Sequence, residues 1–133
     1  MTNFEKTQNG QKNPADIIAK IKTARDEARI KANAYRHLTG KRYDFCRAKA
    51  ATKAYTYALE LIDEGEYDLV RALADDALAV YEAAQNVDVT ERALASFDGE
   101  HDALLTVVDL MDGHRDALVS VVDWMNNKEG GDS

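Results

Sequence analysis

Apolar and polar positions follow the α-helical period along most of the chain. Ile17, Ile21, Ala24, Ala28, Tyr35 and Leu38 recur at steps of three, four and seven, and predict one inward stripe on a helix over residues 14–38. Asn13 and Pro14 open that helix, with a capping side chain, a proline at the first helical position and Asp16 in the first turn. Thr39 and Gly40 close it. A second helix is expected over residues 41–63, with Cys46, Ala50, Ala54, Tyr57, Ala58 and Leu61 inward and Glu64-Gly65 as the stop. A third is expected over residues 66–84, with Leu69, Leu73, Ala77, Val80 and Tyr81 inward. Asp88, three residues before Glu91, resembles a capping box and opens a short helix to about residue 97.

The most regular stretch follows. Residues 98–111 and 112–125 form a near-tandem repeat, identical at nine of fourteen positions. Projected as one helix, Leu104, Val107, Val108, Met111, Leu118, Val121, Val122 and Met125 share an apolar arc. Asp98, Asp102, Asp109, Asp112, Asp116 and Asp123 share a flank beside it. Asp102, Asp109, Asp116 and Asp123 recur every seven residues, about 10 Å apart along the axis. Asp112-Gly113 is a turn dipeptide, so two short helices compete with one long one. A β-hairpin over the paired valines is the least favoured arrangement.

Tyr57, Ala58, Leu61, Gly65, Tyr67, Ala77 and Leu78 fall where a tetratricopeptide hairpin places its residues. Gly99 and Glu100 follow Gly65 and Glu66 by that family's period of 34. The stretch resembles one such hairpin over about a quarter of the chain. Arg92 and Met111 stand where the family has small residues. A lone unit cannot stack into a solenoid, and the resemblance implies no function.

Together these elements predict an all-α fold: a single domain of five or six helices, as a bundle or irregular array. Residues 1–13 are expected to form an arm, 14–126 the helical domain and 127–133 a tail.

Charge divides this picture in two. Residues 1–57 carry 13 Lys/Arg against 5 Asp/Glu, and residues 58–133 carry 4 against 19. Basic helices over 14–63 thus precede acidic helices over 66–126, within a net charge of −7. The bland explanation is that opposite charges pack against one another within the bundle or between two copies. No apolar run reaches the ~18 residues of a membrane span, and the polar N-terminus lacks the apolar core of a secretory signal. The expected setting is cytoplasmic.

Catalytic and metal chemistry find little support. His37, His101 and His114 have no His-Glu-x-x-His spacing, and Cys46 is the one cysteine, on the inward face. Asp75 and Asp76 diverge on a helix, and no glycine-rich phosphate loop occurs. Neither catalysis nor a cofactor is expected.

The leading expectation is a small interaction protein, an inhibitor or adaptor. It would present Asp98, Asp102, Asp109, Asp112, Asp116 and Asp123 to a basic site on a nucleic-acid-handling protein, imitating a phosphate backbone by analogy with phage anti-defence inhibitors. One alternative is direct nucleic-acid binding by Lys20, Lys22, Arg25, Arg29, Lys31, Lys41, Arg42, Arg47, Lys49 and Lys53, with tyrosines interleaved. The acidic second half would repel a long polyanion. A homodimer packing basic half on acidic half is the third.

Overall fold

The computed structural model describes residues 14–112, which form four α-helices and no strand. They are α1 (Pro14–Arg36), α2 (Arg42–Asp63), α3 (Tyr67–Ala84) and α4 (Glu91–Asp112). The all-α expectation holds, with four helices among the described residues instead of five or six. Residues 1–13, with the expected arm, and residues 113–133, with the second repeat and the possible turn at Gly113, lie outside the described residues.

Local chemistry sets three of the helix ends. Gly40 has φ +79° and Gly65 has φ +78°, the left-handed region that glycine enters without a Cβ clash. At Gly65 the cap is complete. The Gly65 N–H donates to the Ile62 carbonyl and the Glu66 N–H to the Leu61 carbonyl, which is the Schellman pattern. At the start of α4 the cap is Thr90, whose Oγ1 accepts the Ala93 N–H at 3.0 Å. The cap thus lies two residues beyond the expected Asp88, and with Ala93 at the third helical position it is a single cap, not the expected capping box.

The largest departure from expectation lies in α4, which runs unbroken through Asp98 and Gly99. The expected break near residue 97 does not occur, because Gly99 serves packing there and not a turn. A Cβ at Gly99 would lie 2.1 Å from the Arg47 carbonyl oxygen on α2. Only glycine lets the two backbones come this close. Ala95 and Ala103, one turn to either side, are fully buried and extend the same narrow seam.

That seam organises the fold. Helices α2 and α4 run in the same direction: Tyr43 meets Asp98 near their starts, and Tyr55 shares a groove with Thr106 and Leu110 further along. Helix α1 packs antiparallel on the outer side of α2, with Arg36 over the Phe45 ring. Helix α3 folds back antiparallel on α4, with Arg71 at Asp112 and Tyr81 stacked on His101. It touches α2 only sparsely, unlike the two helices of a tetratricopeptide hairpin. The spatial order is α1–α2–α4–α3, around one core that includes Ile21, Ala58, Val70, Ala103 and Val107.

Several inward stripes are turned relative to the periodicity. Leu38 and Tyr57 are exposed, while Ala32 and Tyr55 take buried places. On α3, Leu69 and Val80 are exposed, and Val70, Ala74, Ala77 and Ala84 face the core. Close approach favours the small side chains, so α3 lies on α4 along its alanines and leaves larger aliphatics outside.

Candidate functional site

Three charged regions are built on this frame. The first is the expected aspartate row on α4. The Asp98 carboxylate accepts hydrogen bonds from the Tyr43 hydroxyl at 2.8 Å and from Arg47 Nε at 3.0 Å. Asp102 lies 3.4 Å from the other end of the same guanidinium. Asp112 meets Arg71 through both carboxylate oxygens, the fork-to-fork geometry that favours arginine. Asp109 is half-buried on the same flank as Asp98 and Asp102. Asp116 and Asp123 lie outside the described residues. The structure thus sets Asp98 and Asp102 against α2 and Asp112 against α3, where they join helices.

The electrostatics of these groups agree with the geometry. Burial, then the hydrogen bond to Asp98 and its negative charge, push the Tyr43 hydroxyl up to about 12. For Arg47, burial works against the charged form, but Asp98 and Asp102 outweigh it and hold the guanidinium above its ordinary value. Arg71 is raised chiefly by its hydrogen bond to Asp112.

The second region is the outer face of α3. Asp68, Asp75, Asp76 and Glu82 are all exposed there. No ion pair joins any of them to a cation among the described residues. Around them Leu69 is 41% exposed, Leu78 38% and Val80 45%, so an acidic crest is flanked by large apolar side chains. Periodicity missed this face because it placed Leu69 and Val80 in the core.

The third region is basic. A hollow of about 650 Å³ lies between the α1–α2 turn and the first turns of α4. Arg36, Arg42, Lys49, Lys53 and Arg92 line it, with Phe45 among them. Arg42, Lys49 and Lys53 belong to the expected nucleic-acid set; Arg36 and Arg92 do not. The remaining members of that set are dispersed. Lys20, Lys22, Arg29 and Lys31 are exposed along α1, Arg25 and Arg29 bond Asp26, Lys41 pairs with Asp44, and Arg47 faces Asp98.

Among the described residues no cluster of His, Cys, Asp and Glu could hold a metal ion. His101 is half-buried in its stack on Tyr81, with ring centroids 5.6 Å apart. Cys46 is buried, as its inward position predicts. No described helix is long and apolar enough to cross a membrane.

Comparison of the chain with protein-family models, with curated proteins and with solved structures found no match.

Proposed function

We propose that the protein is a non-enzymatic interaction protein, an inhibitor or adaptor, whose acidic surface is the outer face of α3. The partner would carry a basic, partly apolar surface of the kind found on nucleic-acid-handling proteins. The carrying observation is the composition of α3. It buries valine and alanine and leaves Leu69, Leu78 and Val80 exposed among Asp68, Asp75, Asp76 and Glu82. Exposed apolar side chains on the flanks of an acidic crest suit a protein partner. The carboxylates would speed encounter and select a basic surface, and the aliphatics would supply the buried contact.

The order α1–α2–α4–α3 strengthens this reading. It holds basic α1 and acidic α3 apart on opposite sides of the α2–α4 pair, so their charges are not used up against each other. The α4 aspartates contribute less than the sequence suggests, because Asp98, Asp102 and Asp112 already bond arginines.

The test replaces Asp68, Asp75, Asp76 and Glu82 with lysine and compares capture of proteins from a cell extract. The native chain should retain a basic partner that the variant loses, while both give the same helical spectrum. Equal capture by the two chains would sink the proposal.

A further inference from the structure

We propose that the basic hollow is a binding site for a compact polyphosphate anion of nucleotide size. It is independent of the surface on α3. Its cations converge from three helices. Arg36 comes from the end of α1, Arg42, Lys49 and Lys53 from α2, and Arg92 from the first turn of α4. Five cations separated by up to 56 residues in sequence thus line one cavity. No carboxylate lines it, and no carboxylate among the described residues forms an ion pair with any of the five.

This is unlike the other arginines of the fold. Arg25, Arg29, Arg47 and Arg71 all have carboxylate partners. The alternation along α2 shows the difference. Arg47 lies two residues from both Phe45 and Lys49, about 160° round the helix from them. It turns to Asp98, while they turn to the hollow. Asp44 is engaged with Lys41, and Asp98 with Tyr43 and Arg47. Like charges gathered without a counter-charge repel one another, and a bound anion relieves that repulsion.

The site also has an organising centre. Arg36 and Lys49 each lie 5.8 Å from the centroid of the half-buried Phe45 ring, within cation–π range. The ring holds two flexible cations toward the cavity and lowers the ordering cost of binding. A volume of about 650 Å³ is in the range of small-molecule sites and well above what a single phosphate fills. Five cations are enough to neutralise a di- or triphosphate chain, and the hollow leaves space for an attached ring. The same chemistry could come from a free nucleotide or from the phosphorylated end of a nucleic acid.

Calorimetry on the full chain at low salt would use ATP, inorganic tripolyphosphate, adenosine, and an oligonucleotide with and without a 5′-phosphate. ATP and tripolyphosphate should bind and adenosine should not. Preference for the 5′-phosphorylated oligonucleotide over ATP would identify a nucleic-acid end as the source; the reverse would identify a free nucleotide. Arg36→Ala with Lys53→Ala should weaken binding at least tenfold. Phe45→Leu, which removes no charge, should weaken it severalfold. Lys22→Ala with Lys31→Ala, the same charge loss outside the hollow, should leave it unchanged. Three results would overturn the proposal: no binding of either polyphosphate, equal loss in the Lys22/Lys31 control, or tight binding of the unphosphorylated oligonucleotide alone.

Discussion

Gly99→Ala offers a test whose sign alone is informative. In a helix interior alanine is favoured over glycine by about 1 kcal/mol, so a glycine serving no purpose should be improved by the change. Here the added Cβ would sit 2.1 Å from the Arg47 carbonyl oxygen and 2.9 Å from its carbon. Both atoms are backbone, so no side chain can swing aside. Reaching even 3.0 Å from the oxygen requires the helices to part by roughly 0.9 Å. A gap of that size forfeits a quarter to a half of each dispersion contact along the seam. The seam includes Ala95 and Ala103, both fully buried, and the Tyr43–Asp98 hydrogen bond beside them. Overpacking and lost contact together cost about 3–5 kcal/mol. Subtracting the propensity gain leaves a net destabilisation of roughly 2–4 kcal/mol. Urea unfolding followed by circular dichroism at 222 nm should show the midpoint falling by about 1–2 M. A midpoint that stays put or rises would refute the close-approach role of Gly99.

Further outcomes follow from the caps and the bonded carboxylates. Thr90→Ala should cost about 1 kcal/mol through loss of the α4 cap, whereas Asp88→Ala should stay within about 0.5 kcal/mol in the same urea assay. Asp98→Ala strands the Tyr43 hydroxyl and Arg47 Nε and should cost about 1–3 kcal/mol, read as a lower thermal midpoint. Tyr43 ionises near 10 in the unfolded chain and at about 12 in the fold, so the folded state holds the proton more tightly. Its stabilising contribution is complete below pH 10 and is lost as pH rises through 12. Unfolding midpoints across that window should fall for the native chain and fall less for Tyr43→Phe.

Much of the helical skeleton is legible from local chemistry alone. Gly40 and Gly65 announce two helix ends because their backbones need positive φ. The observed helix boundaries at those ends lie within two residues of the expected ones. Gly99 is the contrary case: a helical glycine and a terminating glycine look alike in sequence, and only the α2 backbone across the seam distinguishes them. The register of α3 was missed for a related reason. Leu69 and Val80 are as apolar as Val70 and more so than Ala74, yet close helix packing rewards the smaller pair. The charged regions depend on contacts far apart in the chain. Arg47 and Asp98 are 51 residues apart, and Arg36 reaches the hollow across from Arg92. A run of basic residues signals a basic face, but it cannot show which members a carboxylate from another helix will engage. The aspartate row has the same difficulty: regular spacing marks a flank, and the neighbouring helix decides how much of that flank stays open.

The division of acidic residues into bonded and open groups is tested most directly by measuring capture and stability on two variants together. One carries Asp98→Asn, Asp102→Asn and Asp112→Asn; the other carries lysine at Asp68, Asp75, Asp76 and Glu82. The first should unfold at a lower urea midpoint and still retain the basic partner below that midpoint. The second should keep its stability to within about 1 kcal/mol and lose the partner. The opposite pattern, with capture lost in the first variant and kept in the second, would contradict the assignment of the interaction surface to α3.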